Sequence, residues 1–343
     1  MKKILCLILS SILLGTMLIG CGEKDNNSSE NKQETKTNQT SEKTVVHVGA
    51  MTRPTGKGMV KLIEDVDKKT TANDYKFTLL SGVDEVVPKV AQGEVDIMAV
   101  PANLASVLYK KTDSKVKVIG INTLGVLYIV EKGENIKDIK DLKDKTIYAS
   151  GKGATPEYAL NYILKSNGLE PGSDVTIEYK SEQSEVVAAL AKNEKGIAML
   201  PQPFVTTASQ KDSNIKIALD LSKEWDSIEK DKQEKSTMVT GVVVVRKEFL
   251  DSNTEAVNKF LEEYKKSTEY VNANIEESAT LMENYKIVPS AVAKKAIPYC
   301  NITLIQGDKM KENLSGYLKV LMEQNPKSIG GALPDEQFYY IPQ

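Results

Sequence analysis

The chain has 343 residues, with 45 lysines and arginines against 47 aspartates and glutamates, so its net charge at neutral pH is −2. That length allows about two domains, and the charge balance argues against nucleic acid as the main partner, because no basic excess marks a phosphate-binding surface. A single histidine, His47, and three cysteines leave no metal-ligand spacing and no disulfide pair within the fold.

Residues 1–20 read as a targeting segment. Lys2 and Lys3 are followed by the apolar run Ile4–Ile19, closed by Leu18-Ile19-Gly20-Cys21. The closing tetrad resembles the bacterial lipobox, which implies that Cys21 becomes a lipid-modified N-terminus after cleavage. Residues 21–44, rich in Asn, Ser, Glu, Lys and Thr, bury nothing apolar and read as a disordered tether.

From residue 45 the hydrophobic pattern alternates between strands and helices. Strands are predicted at Val45–Ala50, Tyr75–Leu80, Val95–Val100 and Val116–Asn122, with helices at Val60–Asp67, Glu85–Ala91 and from Leu104. This order predicts a parallel sheet with helices on its faces. Strands follow at Tyr128–Glu131, Thr146–Ser150, Val175–Tyr179 and Ile215–Leu219, with a helix at Glu157–Asn167 stopped by Gly168. Trp225–Ser236 is strongly charged and reads as a solvated surface segment. The apolar run Val239–Arg246 is expected to carry the chain back to the first lobe. Helices at Glu255–Asn272, Glu276–Tyr285, Ser290–Ala296 and Met310–Gln324 are expected to pack on that lobe.

An internal repeat organises this pattern. Val86–Pro101 returns without a gap as Val186–Pro201, an offset of 186 − 86 = 100 residues. Both copies run from a helix through a Gly or Asn turn into a short apolar strand ended by proline. That period is too long for a solenoid and points to two similar α/β lobes. Upstream of each copy, a strand enters a glycine loop that opens a helix, at residues 52–58 and 150–155. Such loops expose unpaired N–H groups and suit an anionic or polar ligand group. Ligands of parallel sheets sit beyond the carboxyl ends of the strands. Candidate contacts are therefore Thr52, Arg53, Pro54, Thr55, Pro101 and Asn103 from one half, and Ser150, Lys152, Gly153, Ala154, Thr155, Pro201 and Gln202 from the other. Arg53 offers a bidentate fork to an oxyanion. Asn103 and Gln202 both donate and accept, and Tyr128 stands near the crossover. His47, alternating with Val46 and Val48, reads as a structural strand residue.

Four pieces together carry a family resemblance: the lipobox and tether, Gly93-Glu94-Val95-Asp96-Ile97 with Pro101-Ala102-Asn103, the segment Ile136–Ile147, and Leu160–Asp174. The chain resembles the solute-binding lipoproteins of ABC importers that include sulfonate, taurine, nitrate and thiamine-precursor binders. The resemblance covers most of residues 45–343. It departs at Asp144, where glycine is usual, and at Thr52-Arg53-Pro54-Thr55-Gly56, which lacks the aromatic-rich loop of sulfonate binders. It implies a type II periplasmic-binding-protein fold, an α/β architecture of two Rossmann-like lobes joined by a two-strand hinge. Lobe 1 then spans 45–127 and 242–343, and lobe 2 spans 128–241.

The implied function is a receptor on the extracytoplasmic face of the cell membrane, lipid-anchored and monomeric. It closes two lobes on a small organic ligand and delivers it to a permease. An anion such as a sulfonate or carboxylate fits Arg53 and the helix N-termini. A heteroaromatic vitamin precursor is the alternative, with Tyr128, Tyr158 and Phe204 as stackers. No cofactor, metal or nucleic acid is expected. No Ser-His-Asp arrangement, metal cluster or placeable carboxylate pair supports catalysis, and a non-transport sensor fits the sequence equally well.

Overall fold

The computed structural model describes residues 43–51, 54–80, 85–133 and 135–342. The targeting segment, Cys21 and nearly all of the tether lie outside the described residues, as do Thr52 and Arg53; of Pro54 and Thr55 only the backbone is described.

The first half runs β1 (Val45–Met51), a 3-10 turn (Pro54–Met59), α1 (Val60–Asp67), β2 (Asp74–Leu80), α2 (Val86–Ala91), β3 (Ile97–Pro101), α3 (Ala102–Lys111) and β4 (Val116–Leu124). The second runs β5 (Leu127–Lys132), β6 (Thr146–Ser150), α4 (Thr155–Ser166), β7 (Thr176–Lys180), α5 (Gln183–Lys192), β8 (Ile197–Pro201), α6 (Phe204–Lys211), β9 (Ile215–Asp220) and α7 (Leu221–Glu229). The chain then returns through β10 (Val239–Arg246), α8 (Lys247–Ser252), α9 (Thr254–Ala273), α10 (Ile275–Asn284), α11 (Ser290–Ala296), β11 (Ile302–Ile305) and α12 (Gly307–Gln324).

Two sheets result, in the orders β11-β4-β10-β3-β1-β2 and β7-β6-β8-β5-β9. The repeat is realised residue for residue. Ile97 pairs with Val48 of β1, and Ile197 pairs with Ile147 of β6, both in parallel. In each copy the strand buries four residues and leaves its terminal proline half-buried. Such unbroken apolar runs belong to strands covered on both faces.

The sheets are mixed rather than wholly parallel as the sequence pattern predicts. Each central strand copy, β3 or β8, has an antiparallel neighbour: β10 beside β3, and β5 beside β8. Those neighbours are the strands that arrive from the other half. The exchange therefore ties the two halves together twice. Val242–Val245 of β10 are all buried, each contributing about 1.5–3 kcal/mol by leaving water.

Asp96, immediately before β3, braces the first sheet. Its carboxylate accepts the His47 backbone N–H at 2.9 Å and Arg246 Nη2 at 2.8 Å. His47 lies in β1 as expected, its Nδ1 3.1 Å from the same carboxylate. The second copy carries Gly196 at the matching position and lacks this brace.

Two expectations are corrected. The segment Trp225–Ser236 is not a solvated surface. Leu221, Trp225 and Glu229 recur at four-residue spacing on one face of α7 and are all buried. Trp225 packs its ring 4.3 Å from Tyr162 and 5.5 Å from Tyr317, and its Nε1 donates to Ser236 Oγ at 2.9 Å. β10 opens at Val239, which pairs with Leu124 of the first sheet. The C-terminal helices touch both halves instead of one. Gln210 of α6 donates to the Ala291 carbonyl of α11 at 3.0 Å, and Asn325, just after α12, donates to the Tyr158 hydroxyl of α4 at 2.8 Å.

Candidate functional site

Strand register brings the two sets of strand ends together. Pro101, ending β3, pairs with Gly241, and Leu124, ending β4, pairs with Val239. Three residues later Leu127 opens β5 and pairs with Pro201, which ends β8. The Gln202 N–H donates to the Val126 carbonyl at 3.1 Å. The carboxyl ends of β3, β4 and β8 therefore abut at Gly125–Val126. A Cβ at Gly125 would stand 2.2 Å from Ser222 Oγ and 2.8 Å from Met238 Sδ, so the crossover is closely packed by residues on either side of the return path.

Tyr128 closes this junction. It is buried, and its hydroxyl donates to the Tyr299 carbonyl at 2.8 Å, with the two rings edge-on at 6.4 Å. Beside it, the Asn301 side chain donates to the Gly125 carbonyl, and the Leu124 N–H donates to the Asn301 carbonyl. Burial pushes the Tyr128 phenol up, with Asp220 adding to the effect, so it remains a neutral donor.

The other sequence candidates divide between the two sheets. Pro101 and Asn103 lie where β3 enters α3. The Asn103 amide donates to the Ser328 carbonyl at 3.2 Å, so one of its donors is engaged. Pro54 and Thr55 open the 3-10 turn after β1. On the second sheet, Ser150 is buried at the end of β6. Lys152 is exposed, with its ammonium 5.9 Å over the Tyr179 ring. Gly153 holds φ +75°, a left-handed conformation that favours glycine, and its N–H donates to the Glu157 carboxylate. The chain's own glutamate thus occupies part of the anion position at the start of α4. Ala154 and Thr155 are half-buried beside it. Gln202 is buried, and its Oε1 accepts from Thr206 Oγ1 at 2.9 Å.

Sequence reasoning did not select Lys57. It sits in the turn that follows β1, is 2 % exposed, and has Cys300 Sγ as its neighbour at 3.8 Å. Burial pulls its ammonium below the ordinary lysine value, and the Cys300 thiol opposes that only in part. The available signal was the pair of flanking glycines. A Cβ at Gly58 would stand 3.0 Å from both Ile302 and Thr268, so the turn lies hard against α9 and β11 and carries Lys57 inward. Among the described residues, no three His, Cys, Asp or Glu side chains gather where a metal ion would bind.

This is the framework of a two-sheet α/β binding protein, with strand-end loops from both sheets meeting at a double crossover. The chain belongs to the family described as "ABC transporter, phosphonate, periplasmic substrate-binding protein", whose model matches residues 55–294. Members of that family are extracytoplasmic proteins that bind a small molecule for a permease, and not enzymes. No curated protein matches the chain by sequence. Among solved structures, an ABC transporter from Parabacteroides distasonis is 22 % identical and superposes with a TM-score of 0.72 over 88 % of this chain and 100 % of that one. The periplasmic aliphatic sulphonate binding protein SsuA from Escherichia coli is 13 % identical, with a TM-score of 0.67 over 87 % and 92 % of the two chains. The periplasmic nitrate-binding protein NrtA from Synechocystis PCC 6803 is 14 % identical, with a TM-score of 0.57 over 87 % and 84 %. The expected importer class and fold are thus met, with phosphonate as the word in the matching family's description.

Proposed function

We propose that this protein captures a small organic anion between its two lobes, by closure about the double crossover, and hands it to the permease of an ABC importer. A sulfonate or carboxylate fits this reading, and the family description adds a phosphonate. The observation that carries it is the meeting of strand-end loops from both sheets at Gly125–Val126, where Tyr128 and Tyr299 already join the halves. A ligand touching both sets of loops stabilises the closed arrangement by its differential contact with the two states. In this reading the lobes run 45–127 with 242–343, and 128–241. The protein works as a monomer, held at the outer membrane face by lipid on Cys21, with residues 22–44 as its tether.

The test is native mass spectrometry of the gently purified protein, followed by thermal-shift screening of phosphonates, sulfonates, carboxylates and pyrimidines. A co-purifying anion, or a rise in melting temperature with one anion class, is the expected result. Stabilisation by uncharged compounds alone overturns it. Labelling with radioactive palmitate, lost in Cys21→Ser, checks the anchor.

A further inference from the structure

A lysine ammonium buried without an opposite charge is costly, by several kcal/mol for an ion of that size. Proteins meet that cost with a carboxylate, and Lys57 has none among the described residues. Its turn packs against β1, β3, β4, β10, β11, α1 and α9. The titratable groups that stand with that turn are the Cys300 thiol at 3.8 Å from Lys57 and the Tyr264 hydroxyl beside Gly58. Burial raises both, so each is uncharged at neutral pH. A well-packed methionine or leucine would fill the same space at lower cost.

The place of this lysine gives the charge a use. Its turn follows the carboxyl end of β1, in the same sheet as the strand ends that meet at Gly125–Val126. Cys300 adjoins both Tyr299, whose carbonyl holds Tyr128 of the second sheet, and Asn301, whose side chain holds the Gly125 carbonyl. The lysine thus stands one side chain away from the contact that joins the two halves.

We propose that Lys57 is the charge-recognising residue of the binding site, and that one oxyanion group of the ligand completes its ammonium as the lobes close. This deepens the anion-capture reading and rests on it. The ligand group is then a phosphonate, sulfonate or carboxylate rather than a neutral polar group, and Lys57 reads it as a point charge. Burial lowers the amine's affinity for its proton in the empty site, and a bound anion raises it again, so proton and ligand binding favour one another. Affinity therefore falls as pH rises through the amine's range in the empty protein.

The experiment is titration calorimetry of the whole protein and of Lys57→Met with methylphosphonate, ethanesulfonate and acetate, each beside a neutral counterpart such as dimethyl sulfone or acetamide. We expect one anion to bind the wild type, and Lys57→Met to lose at least about 10-fold in affinity. We also expect the ligand-free variant to melt no lower than the wild type, which separates lost recognition from lost folding. As pH is raised from about 7 to about 10, wild-type affinity should fall and the variant's should not. An anion that binds both proteins equally overturns the assignment to Lys57 and leaves anion capture standing. Binding of only the neutral counterparts, or of none of the probes, overturns the anion reading itself.

Discussion

The hydroxyl of Tyr128 donates a 2.8 Å hydrogen bond to the carbonyl of Tyr299, joining the antiparallel strand of the second sheet to the helical return of the first. Tyr299 is itself 48 % exposed, so water replaces the lost donor in Tyr128→Phe. The expected cost is about 1 kcal/mol, read as a small fall in melting temperature. The contact braces the junction about which the lobes close, so affinity for the captured ligand should weaken by up to roughly 5-fold. Calorimetric titration of the variant with whichever anion binds the wild type checks both the sign and the size.

Gly125 has little room for a side chain. In Gly125→Ala, the new methyl meets Ser222 Oγ and Met238 Sδ well inside van der Waals contact. Overpacking of this kind costs about 1–3 kcal/mol. The strain falls on the crossover itself, so small-angle scattering with and without ligand should show a changed spread between the open and closed forms. A variant with wild-type stability and wild-type closure contradicts the close packing described at this position.

Glu229 predicts how stability responds to acid. Burial alone would raise its carboxyl, but hydrogen bonds from Tyr162, Lys232 and Ser236 outweigh that and hold it below the ordinary glutamate value. A carboxyl depressed in the folded state stabilises above its unfolded value, about pH 4.5, and that contribution fades as pH falls through the folded value. Urea midpoints measured from pH 7 down to pH 3 should therefore decline below about pH 4.5. The Glu229→Gln variant should be less stable at pH 7 and show a shallower decline.

Asp96 joins β1 to β10 through the His47 N–H and Arg246. Removing it in Asp96→Ala leaves the Arg246 guanidinium without that partner, its Nε already buried without one. The expected loss is about 3–5 kcal/mol, measured by chemical denaturation. Gly196→Asp, which introduces the same carboxylate into the second copy, should not stabilise. The residue of β5 that corresponds to Arg246 is Lys132, whose N–H donates to the Gly196 carbonyl as that of Arg246 does to Asp96, and its ammonium is already paired with Asp212 at 3.1 Å.

Trp225 is the chain's single tryptophan and is fully buried between Tyr162 of α4 and Tyr317 of α12. These rings come from both halves, so lobe closure should alter its fluorescence on ligand addition. Truncation in Trp225→Ala should cost about 3–5 kcal/mol. A tryptophan signal blind to a ligand that stabilises the protein contradicts movement at this contact.

Much of the fold was legible in the sequence because its elements announce themselves locally. The apolar runs of β3 and β8, their proline stops and their 100-residue offset fixed two like units before any contact was known. Antiparallel insertion of β5 and β10 was not legible, because an apolar strand looks the same whichever neighbour it pairs with. The strand-end loops were legible, but the partners that their side chains take were not. Asn103, Gln202 and Gly153 were chosen for the donors and acceptors they offer, yet each spends part of that capacity within the chain, on Ser328, Thr206 and Glu157.

The amino-acid sequence by itself determined the strand–loop–helix units and their duplication, because periodicity and glycine or proline punctuation act within a few residues. Only the tertiary structure decided that Lys57 lies inside against Cys300, that Trp225 and Glu229 are buried, and that the C-terminal helices bridge both halves. Those outcomes depend on contacts between residues far apart in the chain, such as Lys57 and Cys300 across 243 positions. Charge in a sequence pattern reads as solvated until packing shows which face it shares.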